Sequence, residues 1–472
     1  MKTETIAAIS TALSDSGIGI IRISGEEAIT IADKVYLSKG GHKRLKDVDS
    51  HTIHYGFIVD NSEKEPVILD EVLVSVMRAP KSYTAEDTVE INCHGGILMM
   101  QRILEEVLKA GARMAEPGEF TKRAFLNGKL DLSEAEAVMD VIHAKNELAL
   151  KSSVRQLKGS VSEKIKGIRA KIIYEIAFIE SALDDPEHIS LDGYPKRLSN
   201  VLSELKNEVE RLLSSADDGK FLKEGIRTVI VGKPNAGKSS FLNLLLGEEK
   251  AIVTDIAGTT RDVLEETIQV NGIALRVIDT AGIRSTDDVV EKIGVQKARK
   301  YAEEADLIVY VADSSVPLDE NDMDIMQIIG SKKCITLLNK TDLNAAVTEK
   351  TLKDAFMESS MKDYADDVRI IRTSTKDSTG MELFQKSIKE MFFKGDISLD
   401  NEVYITNMRH KEALLDAKNS LLLVEKSLAD GMPEDFYSID LMSAYTSLGN
   451  IIGEEVSEDL VNEIFSKFCM GK

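Results

Sequence analysis

The sequence predicts a multidomain chain of mixed α/β and all-α architecture: an N-terminal α+β domain, a helical domain, and a P-loop α/β domain inserted into the helical one. Three observations carry this expectation. The β-branched run Val229-Ile230-Val231 enters the loop Gly232-Lys233-Pro234-Asn235-Ala236-Gly237-Lys238-Ser239, a GxxxxGK[ST] pattern, and Ser239–Leu245 leaves it with helical character. Apolar residues at helical spacing flank that segment on both sides, and 472 residues leave room for about three domains. The expected boundaries are 1–118, 119–217, 218–393 and 394–472.

From the N-terminus, Gly17–Ile23, His51–Val59, Leu69–Met77 and Thr88–Asn92 read as strands, and Glu26–Val35 and Ile97–Ala110 as helices. From Leu130 the pattern turns helical. Ser133 with Glu136 has the spacing of a capping box, and Ala135, Val138, Ile142 and Ala149 follow at helical intervals. Leu202, Leu205, Val209 and Leu212 continue the theme up to an expected break at Asp217-Asp218-Gly219. Strand–helix alternation then runs to about Phe393, with apolar runs such as Leu307–Val311 and Ile335–Leu338 that suit a parallel sheet covered on both faces. Beyond it, Leu414, Ala417, Leu421, Val424 and Leu428 form an apolar seam that needs a helical partner, and the block 130–215 supplies one. The alternative is two separate helical domains.

The totals narrow the function. A composition of 43% hydrophobic and 29% charged residues describes a globular chain, no apolar run approaches a membrane span, and a cytoplasmic location follows. Three cysteines without metal-ligand spacing speak against a disulfide framework and a zinc site. A net charge of −21 disfavours indiscriminate nucleic-acid binding. Residues 143–172 run against that trend with a local net +6, and Lys151, Arg155 and Lys158 are expected on one helical face, either as a solvated surface or as a landing strip for RNA.

The chemistry sits in four motifs. In the P-loop, main-chain N–H groups of Asn235, Ala236, Gly237, Lys238, Ser239 and Ser240 would face phosphate oxygens, with Lys238 reaching the β- and γ-phosphates and Ser239 ligating Mg²⁺. Asn339-Lys340-Thr341-Asp342 follows an apolar strand. The Asp342 carboxylate can accept from guanine N1–H and its exocyclic amine, which adenine cannot offer, so GTP is the favoured ligand. Ser374, Thr375 and Lys376 would supply backbone to guanine O6. Asp279-Thr280-Ala281-Gly282 would hold Mg²⁺ through water and sense the γ-phosphate. In Thr254-Asp255-Ile256-Ala257-Gly258-Thr259-Thr260, Thr260 is the expected second Mg²⁺ ligand. The combination predicts a Ras-like G domain. Ras-like proteins carry a water-orienting Gln after the last Gly of this set, whereas this chain has Ile283, which can neither orient water nor stabilise charge; hydrolysis must then use another group or be very slow, and the sequence identifies no arginine finger. Asn235 could hold a K⁺ ion against the phosphates.

With these motifs placed, the chain resembles the MnmE (TrmE) family of tRNA-modification GTPases from end to end. The likeness also rests on Ile20–Gly25, Ser82–Asp87, Glu90–Gly96, Pro117–Phe120, Arg123–Leu132 and Phe468-Cys469-Met470-Gly471-Lys472. It implies a homodimer activated by potassium, with the cation held by Asn235, Thr254, Ile256 and Thr259 and the attacking water positioned by Glu291. It implies a flavin-containing partner, MnmG (GidA), and tRNA, whose wobble uridine receives an aminomethyl-type group at C5. The one-carbon unit would come from 5-formyltetrahydrofolate or a related tetrahydrofolate in a folate-binding-like, dimerising N-terminal domain, with contacts at Arg22, Glu90, Lys129 and Lys472. Cys469 matches the near-terminal cysteine of the family, either reactive with a catalytic role or a buried apolar residue. The chain departs from the family's turn at Ser10–Ser14 and has Glu116 where Arg is common. Two rival functions use the same motifs: a GTP-dependent RNA-binding switch in ribosome maturation, and a stand-alone folate-dependent transferase with a regulatory G domain.

Overall fold

A computed structural model describes residues 4–61, 65–248, 265–278, 300–330, 332–358, 368–393 and 403–471. The chain opens with β1 (Ile6–Ile9), β2 (Ser16–Ser24), α1 (Ala28–Val35), β3 (Tyr36–Ser38), β4 (Thr52–Asp60), β5 (Val67–Met77), β6 (Thr88–Gly95), α2 (Ile97–Lys109) and β7 (Arg113–Met114). Their sheet runs β3-β4-β5-β6-β2-β1-β7, antiparallel except for the β1–β7 pair. Alternation along β5 buries Val72, Val74 and Val76, and these meet Met100, Ile103 and Val107 of α2 in one core. The strands expected here are present, three of them two or three residues longer and the fourth shifted by one residue to Thr52–Asp60; β1, β3 and β7 are too short or too alanine-rich to show a period.

Helices follow: α3 (Glu119–Leu126), α4 (Leu132–His143), α5 (Glu147–Leu157), α6 (Ser160–Asp184) and α7 (Tyr194–Glu224). Three local expectations are corrected. Asp131 and Glu134, not Ser133 and Glu136, make the reciprocal cap of α4: Glu134 N–H donates to Asp131 Oδ1 at 3.0 Å and Asp131 N–H to Glu134 Oε2 at 2.9 Å. Asp is as good a cap as Ser and stands two residues earlier. Lys158 does not share a helix with Lys151 and Arg155, because α5 ends at Leu157 and Gly159 turns the chain with a φ of 87°. Lys151 is itself paired with Glu147. Finally, α7 runs straight through Asp217-Asp218-Gly219 to Glu224. A Cβ at Gly219 would stand 2.2 Å from the Ile405 carbonyl oxygen, so the glycine permits a close chain crossing and stops nothing. Ile405 N–H donates to Ser215 Oγ at 3.2 Å at the same crossing.

Next come β8 (Ile226–Val231), α8 (Lys238–Glu248), β9 (Glu265–Val270), β10 (Ile273–Ile278), β11 (Leu307–Asp313), α9 (Glu320–Ile329), β12 (Cys334–Asn339), α10 (Glu349–Glu358), β13 (Arg369–Arg372) and α11 (Met381–Phe392). The sheet order is β13-β12-β11-β8-β10-β9, parallel apart from the β9–β10 hairpin. Apolar cores lie on both faces, which is why β11 and β12 are buried nearly throughout. Chain order reverses between β8 and β11, and the carboxyl ends flanking such a switch point are where open α/β sheets bind ligands.

The chain closes with α12 (Met408–Ala429), α13 (Glu434–Ile452) and α14 (Glu458–Ser466). Leu414, Ala417, Leu421 and Val424 are fully buried, as the seam requires, while Leu428 in its last turn is only half-buried; Lys418 pairs with Glu210 of α7 at 3.1 Å. Helix α13 packs on α6, where the Arg169 guanidinium lies 3.9 Å over the Tyr445 ring. The chain divides into two compact units: Met1–Ile142 with Arg155–Leu202 and Asn419–Lys472, and His143–Val154 with Ser203–Lys418. Among the described residues no helix is long and apolar enough to cross a membrane.

Candidate nucleotide-binding site

The loop between β8 and α8 lies at the switch point. Gly237 adopts a φ of 105°, and a Cβ there would meet the Asn339 side-chain nitrogen at 2.2 Å, so only glycine lets the loop close against the end of β12. Asn339 is fully buried, and its Nδ2 donates to the Ala236 carbonyl at 2.9 Å. Two motifs 103 residues apart thus form one cradle. Lys238 begins α8, and its ammonium donates to the Gly232 and Lys233 carbonyls at 2.7 and 2.8 Å. Burial pulls its pKa below the usual lysine range. Asn235 is exposed at a φ of 62°; Ser239 is half-buried and Ser240 exposed in the first turn of α8, the end of a helix that favours an anion.

On the base side, Thr341 donates from its N–H and Oγ1 to the Thr373 carbonyl at 3.2 and 3.0 Å, stitching the β12 loop to the β13 loop. Asp342 is exposed, its carboxylate open to a ligand, while Ser374 is buried, Thr375 half-buried and Lys376 exposed. The Oδ1 of Asn339 is buried without a hydrogen-bond partner among the described residues, an arrangement that a bound polar ligand would relieve. The donor set, with its glycine-lined cradle, fits a guanine nucleotide. Thr254, Asp255, Ile256, Ala257, Gly258, Thr259, Thr260, Asp279, Thr280, Ala281, Gly282, Ile283 and Glu291 lie outside the described residues.

The motifs missed a second layer. Lys233 pairs with Asp322 at 2.6 Å and Asp319 at 3.1 Å, and Lys340 pairs with Asp313 at 2.6 Å. The one local signal was Asp319-x-x-Asp322, a capping box that starts α9.

A separate cluster lies on the N-terminal sheet. Arg22 and Glu90 stand opposite each other on β2 and β6, their side chains paired at 2.9 Å. The guanidinium also lies 5.3 Å from the Tyr83 ring centroid and 5.6 Å from that of Phe120, and its Nη1 donates to the Gly471 carbonyl at 3.2 Å. Lys129 is exposed and donates to the Ser82 carbonyl, beside Tyr83. Three distant stretches and the C-terminal tail therefore converge. A carboxylate, two cations and aromatic faces fit a planar ligand with donor edges and acidic groups, such as a pterin with its glutamate tail. Lys472 lies outside the described residues. Cys469 is exposed, which removes the reading of a buried apolar residue. Cys93 is buried and its thiol pushed up to about 11 by burial, whereas His94 points outward and bonds Asp70 at 2.6 Å.

Residues 132–469 match the family described as "MnmE helical domain" and residues 5–129 that described as "GTP-binding protein TrmE N-terminus". The chain is 57% identical to the tRNA modification GTPase MnmE of Lachnoclostridium phytofermentans and 48% identical to that of Thermoanaerobacter pseudethanolicus, each match covering 100% of both chains. Among solved structures, Era in complex with MgGDPNP and a 16S ribosomal RNA segment aligns at 26% identity over 42% of this chain and 67% of that one, with a TM-score of 0.27.

Proposed function

The chain belongs to the MnmE family of tRNA modification GTPases, and from that premise we propose that it hydrolyses GTP, activated by potassium, to drive tRNA modification. The observation that carries the reading is the Asn339–Ala236 hydrogen bond, which joins the phosphate loop to the base-reading loop. The main-chain amides at the start of α8 bind the phosphates, Lys238 neutralises their charge, and Asp342 selects guanine. Ser239 and Thr260 would hold Mg²⁺, with Asp279 acting through water; Asn235, Thr254, Ile256 and Thr259 would hold K⁺. These ions supply positive charge where no arginine is identified, and Glu291 orients the attacking water.

The second half of the proposal concerns the modification itself. The Arg22–Glu90 cluster, with Lys129 and Lys472, holds a tetrahydrofolate: Glu90 accepts from the pterin edge and the cations meet its carboxylates. Working as a homodimer with the flavin-containing MnmG, the protein would place an aminomethyl- or carboxymethylaminomethyl-type group at C5 of the wobble uridine. A cytoplasmic location accords with a tRNA substrate, and a reactive Cys469 accords with its exposure. Two measurements test the proposal. GTP hydrolysis should be several-fold faster in potassium than in sodium at matched ionic strength, and equal rates would sink the cation role. Mass spectrometry of tRNA nucleosides from a strain lacking the gene should show unmodified wobble uridine. Intact modification together with immature ribosomal RNA would point to a ribosome-maturation switch instead.

A further inference from the structure

No motif covers the segment from Asp313 to Asp322, yet its side chains grip both loops of the nucleotide cradle. At its start, Asp313 Oδ2 accepts from Lys340 Nζ at 2.6 Å, while Oδ1 accepts from the N–H and Oγ of Ser315 at 2.9 and 2.6 Å. Lys340 stands at a φ of 61°, left-handed backbone that a lysine adopts only where its surroundings enforce it. Ser314 adds main-chain ties, donating to the Asn339 carbonyl at 2.9 Å and accepting from Ala346 and Val347 at 2.7 and 3.0 Å. At its end, Asp322 is almost wholly buried, with Oδ1 bonded to the Tyr310 hydroxyl at 2.8 Å and Oδ2 to Lys233 at 2.6 Å.

The Lys233 contact is not needed for helix capping. The Asp319 side chain accepts from the N–H groups of Asn321 and Asp322, and Asp322 accepts from Asp319 N–H, so the capping box of α9 is complete without the lysine. What the pairs to Lys233 add is a fixed position for the residue that follows Gly232. Burial works to lower the Lys233 pKa, but its bonds to the two aspartates outweigh burial and hold it above the usual lysine range. The ammonium is thus kept charged.

We infer that Asp313–Asp322 is a strut: Asp322, with Asp319, positions the phosphate loop through Lys233, and Asp313 positions the base-reading loop through Lys340. The inference rests on the GTP reading above. It makes the two ends separable. Weakening the Asp322 end should cost phosphate affinity without touching base choice, and weakening the Asp313 end should blur base choice without touching the phosphates.

The test measures GTP, ATP, ITP, GDP and GMP affinities of the full chain by displacement of a fluorescent guanine nucleotide, with thermal melting recorded for every variant. ITP lacks the exocyclic amine that Asp342 accepts. Asp322→Asn should weaken GTP about tenfold, narrow the GDP-to-GMP ratio and leave the GTP-to-ITP ratio unchanged. Asp313→Asn should lower the GTP-to-ITP ratio several-fold and leave GDP-to-GMP unchanged. Should Asp322→Asn fail to fold, Lys233→Met removes the same bond while keeping the Asp322–Tyr310 pair. Equal losses for all nucleotides in step with melting temperature, or unchanged ratios, would overturn the strut. Failure of the wild-type chain to prefer GTP over ATP would instead overturn the nucleotide reading beneath it.

Discussion

The nucleotide cradle proposed above relies largely on main-chain amides at the ends of parallel strands, where Gly237 and the Asn339–Ala236 bond hold the loop. The Arg22–Glu90 cluster relies on side chains, delivered by two facing strands, the Lys129 turn and the C-terminal tail. A backbone site tolerates most substitutions and fails where a Cβ closes the loop or a charge is lost. A side-chain site depends on each member, because removing one leaves its partner with an unmet charge in a partly enclosed place.

That contrast can be broken most forcefully at Lys238. Its ammonium, held at the loop by the Gly232 and Lys233 carbonyls, is the charge proposed to meet the phosphates, so Lys238→Ala should lower the steady-state GTP hydrolysis rate by about 10²–10³-fold. Binding of 5-formyltetrahydrofolate, followed by calorimetry, should be unaffected. Glu90→Gln makes the reciprocal test. It leaves Arg22 without its carboxylate and should weaken folate binding by roughly 2 kcal/mol, or about thirtyfold, while GTP hydrolysis stays within about twofold of wild type.

A smaller effect is expected at Gly471. A Cβ there would meet the Ile9 carbonyl oxygen at 2.3 Å, so Gly471→Ala should push the tail off β1 and break its bond to Arg22. The loss of roughly 1 kcal/mol should appear as a several-fold drop in folate affinity with normal nucleotide binding. The smallest effect is on acid stability. Burial alone would raise the Glu119 pKa, but Arg113, the Glu116 amide and Arg123 hold it below the usual 4.5. Its contribution is present above that value and lost as pH falls through the lower folded pKa. In urea titrations, Glu119→Gln should therefore shrink the stability difference between pH 7 and pH 3.

The two sites were also unequally visible before the fold was known. The two described motifs of the cradle, the P-loop and Asn339–Asp342, are contiguous runs, because each is a strand end plus a loop and its chemistry is local. Arg22, Glu90, Lys129 and Lys472 share no local pattern, since pairing across β2 and β6 and the return of the tail are properties of the folded chain; only family resemblance marked them. The pairs from Asp313 to Lys340 and from Asp322 to Lys233 are hidden for the same reason, the capping spacing Asp319-x-x-Asp322 being local but silent about them. The misread elements have local causes. Asp131 competes with Ser133 for one cap, and Gly219 reads as a stop because composition cannot distinguish a glycine that ends a helix from one that lets another chain pass.

The proposed function stands or falls on the Asp342 carboxylate reading a guanine base above a backbone cradle for phosphates. Affinities of GTP, ATP and XTP measured side by side for the wild-type chain and Asp342→Asn test it most directly. The wild type should bind GTP at least about a hundredfold more tightly than ATP, and the variant should lose GTP affinity and come to prefer XTP, whose C2 oxygen accepts where guanine donates. An unchanged nucleotide preference in the variant would contradict the account.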